Sequence, residues 1–438
     1  MKALPIFHIS VVLFGMVALT MRATGQEALP FTRAIELALI HSNEIAVSHA
    51  DEVRAYQTYL EARNSYIPKV TIGSDIGYAY GFPLSLEGSA PTLLNVTAQS
   101  SVWDVAQQQF VRAAKSDWKA SKSQGNDQRA QAIMDTALTY IELNKWESRA
   151  PILRAELNVA ESVEYAVAER VKEGIEKGIE RTKAELVGAQ VRLHIAEAEG
   201  AIDILRTRLS QLTGLSAQSI RTQRDSVPAL KKKDIPQNDA VSRAAQSSAA
   251  VESAQESALA KEMRAKGEHK AMYPTASFAA QYGLINSTLT NFEKYFVANT
   301  FQTQNVTFAL VLRLPVLDTS QRARAAAADA EALRARKELE QTKNRAVVDG
   351  LRLQHNVEQL VVALDIANLR YKLAENEVGG AHIRMESEMG TQREFQNAAI
   401  DSSERALEQI NTTFELQRTQ IELLRATSAL ESWALPSK

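Results

Sequence analysis

Histidines, cysteines and clustered carboxylates are the side chains that would carry catalysis or hold a metal, and their distribution in this sequence argues against both. Cysteine is absent, which removes disulfides, thiolate metal sites, cysteine nucleophiles and a lipid-modified N-terminal cysteine together. His41 and His49 fall on one predicted helix with no third ligand nearby, and His194, His269, His355 and His382 stand singly. No HExxH, phosphate-binding glycine loop or nucleophile elbow occurs. The expectation is a protein that is not an enzyme, with no cofactor and no metal. A net charge of −2 gives a nucleic-acid partner no electrostatic support. The remaining groups of interest gather near two expected helix turns: Lys172, Glu173, Gly174 and Gly178 at about 170–180, and Gly380, Arg384, Glu386 and Glu388 at about 377–390. Glycine at such places also serves ordinary turn chemistry.

The elements that carry these turns are long helices. The 438 residues include only 11 prolines, 18 glycines and 27 aromatics, the usage of an elongated helical protein. Residues 1–25 read as a secretory signal, with Lys2 as the positive end, Ile9 to Leu19 as a short apolar core and Ala23-Thr24-Gly25 at the cleavage positions. The core falls short of the ~20 apolar residues that a membrane anchor needs, and no later segment reaches that length. A helix is predicted from Leu29 to Ser65, then strands at about 70–82 and 93–102. After Asp104 a helix reaches about Lys172, with Gly125 and Pro151 expected to bend or break it. Following the first turn a shorter helix returns to Leu212-Thr213-Gly214.

The plan then repeats. Tyr273-Pro274 answers Ile67-Pro68 and Gly380 answers Gly174 at an offset of 206, while Asp318 answers Asp104 and Thr427-Ser428 answers Thr213-Gly214 at 214. The chain is thus divided into a first repeat at 26–214, a connector at 215–238, a second repeat at 239–434 with strands at about 275–285 and 305–314, and a tail at 435–438.

Each strand has two unlike faces. Val306, Phe308, Leu310, Leu312 and Leu314 alternate with Asn305, Thr307, Ala309, Val311 and Arg313, the period of two of a strand. The non-apolar face is rich in Gly, Ala, Ser and Thr, unlike the charged face of a sheet packed on a soluble core. Segments 66–103 and 273–308 hold 13 of the 27 aromatics, as the interfacial girdles of a membrane barrel would. Four strands cannot close such a barrel, the smallest having about eight, whereas three chains supply twelve. The helices need partners as well, since a helix of roughly 100 Å has no compact core to bury against. The expected fold is mainly α, with long antiparallel helices forming a tunnel and four strands per subunit shared in a trimeric transmembrane β-barrel.

Several segments resemble the TolC-like outer-membrane efflux protein family. They are Leu312-Arg313-Leu314-Pro315-Val316-Leu317-Asp318 before an Arg/Ala-rich helix, the Arg170-Val171-Lys172-Glu173-Gly174 turn, the Leu209-Ser210-Gln211-Leu212-Thr213-Gly214 ending and the C-terminal Leu423 to Trp433. Their order covers about Leu29 to Trp433. The sequence departs from the family at Ser101-Val102-Trp103-Asp104 and Thr319-Ser320-Gln321, which lack its usual proline or glycines, and at Ser428, where glycine is frequent.

The resemblance implies a homotrimer in the cell outer membrane, in contact with its lipid and extending through the periplasm toward a periplasmic adaptor protein and an inner-membrane transporter. It implies passive exit of substrates in a tripartite efflux or type I secretion system. In that setting Arg384, Glu386 and Glu388 are candidates for the gate, and Lys172, Glu173, Gly174, Gly178 and Gly380 for adaptor contact. The alternative is a secreted periplasmic or surface coiled-coil scaffold or adhesin without a pore.

Overall fold

In a computed structural model of the chain, the described residues are 28–76, 92–228, 242–285 without 243, 245 and 247, and 302–435 without 388. The expected secretory signal, Tyr78, Tyr80 and Phe82 of the first strand, the later part of the connector with the start of the second repeat, Glu388 and the last tail residues lie outside them. Among the described residues no helix is long and apolar enough to cross a membrane.

The first repeat runs α1 (Phe31–His41), α2 (Asn43–Asn64), β1 (Lys69–Asp75), β2 (Thr92–Trp103), α3 (Val105–Lys172) and α4 (Gly178–Thr213). The second runs α5 (Ala249–Lys270), β3 (Thr275–Ile285), β4 (Gln304–Arg313), α6 (Thr319–Glu386) and α7 (Gln392–Ala426), followed by the short α8 (Leu430–Ala434). Both long helices have 68 residues, roughly 100 Å at 1.5 Å per residue. Each starts on an aspartate in extended conformation. Asp104 accepts from the backbone N–H of Gln107 and Asp318 from that of Gln321, so both strand-to-helix junctions are N-capped alike despite the missing prolines and glycines.

The structure corrects two expectations about helix continuity. Leu29 to Ser65 is two helices, because Ser42 takes an extended backbone and its hydroxyl caps α2 through the N–H of Ile45. Conversely, α3 passes through Gly125 and Pro151 without a break. Pro151 costs a helical hydrogen bond, but neighbouring Ala150 and Leu153 are buried in packing that outweighs it. At Gly125 a Cβ would come within 3.1 Å of Ser48 Oγ, so the glycine serves the approach of α2.

Across the subunit α3 packs against α1, α2 and α4 on one side and α5 and α7 on the other, while α6 packs against α5 and α7. The main apolar cluster lies midway along α3 and joins Phe31, Ile133, Tyr140, Leu143, Leu209, Ile421 and Leu430. At its centre the Tyr140 ring meets Phe31 edge-on at 5.4 Å. Its hydroxyl sits 2.6 Å from the Leu29 carbonyl and accepts from the Gln223 N–H at 2.8 Å. One tyrosine thereby ties both the entering chain and the connector to the helical shaft.

The strands form one antiparallel sheet in the order β1-β2-β3-β4. Register brings Ile72 beside Val96, Val96 beside Tyr282 and Tyr282 beside Val306, and on the other face Thr71 beside Thr97, Thr97 beside Gln281 and Gln281 beside Thr307.

Thr213-Gly214 and Thr427-Ser428 end the returning helices in the same way, with φ of +74° at Gly214 and +58° at Ser428. Left-handed backbone costs a side-chain-bearing residue on the order of 1 kcal/mol. Ser428→Gly is expected to stabilise the chain by about that amount and Gly214→Ser to destabilise it, as measured by thermal unfolding in detergent.

Candidate functional site

Two regions are built by this fold: the faces of the sheet, and the tips where each long helix turns back. On one face of the sheet Val70, Ile72, Val96, Phe278, Val306, Phe308, Leu310 and Leu312 stand in register. All but the half-buried Val96 are exposed, Ile72 by 73% and Phe308 and Leu312 by 72% each. A water-facing surface would not be built this way. The opposite face is small and polar, with Thr71, Thr97, Gln99, Ser101, Ser277, Ala279, Gln281, Thr307 and Ala309, plus Lys69 and Arg313 at its helix-proximal end. It lines a trough of about 1120 Å³. Among the described residues the outer edges of β1 and β4 have no strand partner.

The two tips share one geometry. At the first, the Arg170 carbonyl accepts from the N–H groups of Ile175 and Glu176 at 2.9 and 3.3 Å; at the second, the Arg384 carbonyl accepts from Met389 and Gly390, both at 2.9 Å. Ile175 and Met389 stand at the apices, exposed by 69% and 84%. Gly174 has a φ of +77°, the left-handed conformation that glycine adopts without a Cβ clash. Lys172 closes α3 and pairs with Glu169 at 3.5 Å, Glu173 caps it, and Gly178 opens α4 with open space where a Cβ would be. These four candidates form one exposed apex.

Gly380 does not belong to the second turn. It lies inside α6, which continues to Glu386, eight residues further than the match with Gly174 predicted. The offset between the repeats is 206 up to the first strand of each and 214 from the N-capping aspartates onward, so the counterpart of position 174 is 388 and that of Gly178 is Gln392. Arg384 and Glu386 are exposed in the last turn of α6. Glu386 faces His382 at 3.6 Å, and the His382 ring meets Phe395 at 5.5 Å. Arg384 makes no ion pair among the described residues, whereas its counterpart Arg170 is paired with Glu176 at 3.4 Å.

The residues that join the tips were not foreseen. Arg393 on α7 reaches Glu180 on α4 at 3.8 Å, and Lys183 donates to the same carboxylate at 2.8 Å. The Lys183 hydrogen bond, with the charges of Lys183 and Arg393, holds the Glu180 carboxyl below the ordinary glutamate range. Beside this junction a cleft of about 190 Å³ runs up between the α3–α4 hairpin and α7, past Arg170, Gln396, Ala160 and Ile400. Among the described residues no group of three or more His, Asp or Glu side chains is placed to hold a metal.

By sequence, neither a protein-family model nor a curated protein matches the chain. Solved structures do. The outer membrane protein VceC from Vibrio cholerae superposes with a TM-score of 0.74 at 16% identity, over 91% of this chain and 95% of that one. The CmeC outer membrane channel of Campylobacter jejuni gives 0.74 at 14% identity, over 97% and 94%. The open state of the Neisseria gonorrhoeae MtrE outer membrane channel gives 0.71 at 14% identity, over 92% and 90%. The two-faced sheet, the paired helices of 68 residues and these superpositions agree: the chain has the TolC-like fold of outer-membrane efflux channels.

Proposed function

We propose that this chain is the subunit of a trimeric outer-membrane exit duct in a tripartite efflux or type I secretion system. The observation that carries the reading is the open four-stranded sheet, apolar on one face and small-polar on the other. In lipid its free edges would leave backbone groups unsatisfied at several kcal/mol each, and joining β1 of one copy to β4 of the next satisfies them. Three copies make a twelve-stranded barrel with the polar trough inside. The helices continue it as a periplasmic tunnel through which substrates pass passively, driven by an inner-membrane transporter linked through a periplasmic adaptor. A scaffold without a pore has no use for a sheet with these two faces.

The tips are the mouth and the docking end. Arg384, Glu386 and Glu388 set the charge at the aperture, three of each by symmetry. Lys172, Glu173, Gly174 and Gly178 present the apex to the adaptor, and Gly380 lies on the adjoining flank of α6. The Arg393–Glu180 contact holds the second hairpin against the first.

Adjacent residues of β4 separate the faces. Phe308→Lys is expected to oppose membrane insertion by about 2 kcal/mol or more near the bilayer midplane, read as lost trimer in outer-membrane fractions. Thr307→Lys inserts normally and lowers cation conductance in planar bilayers. A water-soluble, monomeric wild-type chain that forms no pores would refute the duct.

At the mouth, an exposed ion pair carries at most about 1 kcal/mol per subunit. Arg393→Glu should therefore raise open probability in single-channel recordings modestly, and adding Glu180→Arg should restore it. If the double variant stays as open as the single one, that contact does not hold the mouth.

A further inference from the structure

Among the described residues, Glu156 is the one acidic or basic side chain that is buried, at 8% exposure. Its Oε2 has no hydrogen-bond partner. Such a carboxylate inside helix packing is costly unless something neutralises it. Glu156 lies on α3 one helical turn above Ala160, and Glu404 lies on α7 one turn above Ile400; Ala160 and Ile400 both line the cleft between the hairpins. The buried acid therefore lies one helical turn beyond the cleft, on the side away from the tips, in the seam between α3 and α7.

Among the described residues no lysine or arginine pairs with it. From α7 it meets the charge of Glu404, and Arg405 on that helix is taken up by Asp401 at 3.3 Å and Glu408 at 3.0 Å. Glu408 is also held by Arg370 at 2.8 Å. From α4 it meets His194, and of the acids on that helix Glu199 is bound to Arg154 at 3.0 Å while Glu197 acts on Arg149. Burial holds the Glu156 carboxyl above the usual glutamate range, with Glu404 adding to the effect and His194 opposing it.

We propose that Glu156 is a proton-operated latch between the two helical hairpins: protonated, its neutral carboxyl lets α7 close on α3, and ionised, its unpaired charge loosens that seam. The direction follows from linkage. A carboxyl whose folded-state pKa is raised contributes stability that is complete below its unfolded pKa and is lost as pH rises through the folded one. Acid therefore tightens the seam above the cleft, and alkali frees the part of α7 below it. For transport this rests on the exit-duct reading, in which freeing α7 widens the mouth.

The seam can be read without a pore. In the full chain in detergent, amide hydrogen exchange of 396–408, normalised to the unrelated helix α2, is compared at about pH 5 and about pH 8. The wild type should exchange several-fold faster at the higher pH after correction for intrinsic rates. Glu156→Gln, a permanent mimic of the protonated acid, should keep the segment slow at both. Glu404→Gln should shrink the response, and His194→Gln should enlarge it. A Glu156→Gln chain with α2 protected as in the wild type, yet with the wild-type response in 396–408, would overturn the latch, as would a wild type with no response. Conductance separates the two readings: a seam that responds to pH in a protein that makes no pores keeps the latch and removes the duct.

Discussion

Backbone amides that face hydrocarbon must find partners within the protein, because lipid offers none. In the proposed assembly the sheet of this chain meets that demand across three internal seams and, among the described residues, leaves it unmet at β1 and β4. Everything else in the architecture is compatible with that gap being closed by another copy. The apolar face supplies no substitute, since Ile72, Phe308 and Leu312 on it stay exposed among the described residues, and the polar face is too rich in small residues and too open to serve as a buried core.

The helical region repeats the problem at larger scale. Packing runs from α2 and α4 through α3 to α5 and α7 and ends at α6. The two terminal elements of that series carry exposed aliphatic residues, Leu186, Leu193 and Ile204 on α4 and Leu333, Leu369 and Leu373 on α6. Strand β1 follows α2, and strand β4 leads into α6. The incomplete edges of sheet and helices therefore lie on the same two sides of the subunit, so a single interface in the proposed assembly would complete both.

Much of this was legible in the sequence because period-two alternation and capping aspartates are local signals. Val306 to Leu314 alternates whether or not a membrane is nearby, and Asp104 and Asp318 mark helix starts by their own side chains. What escaped depended on packing or on registration between the repeats. Gly125 and Pro151 look like breakers until the helix is seen held on several sides. Ser42 looks like an ordinary helical position until its hydroxyl turns to the N–H of Ile45. Gly380 was matched to Gly174 with an offset that had already changed. The Arg393–Glu180 contact joins residues on separate hairpins, and no spacing within either one announces it.

The change of offset is instructive in itself. Four of the eight added residues form Leu314-Pro315-Val316-Leu317 between β4 and α6, where the first repeat passes directly from Trp103 to Asp104; the rest fall within the β3–β4 hairpin. The two long helices show no such difference. Inserting one residue in a helix rotates everything beyond it by about 100° and lifts one tip out of the plane of the other. Within this chain the joints around the strands absorb a difference of eight residues while the two shafts match in length, so lengthening one arm alone would turn its tip and set the two turns at different heights.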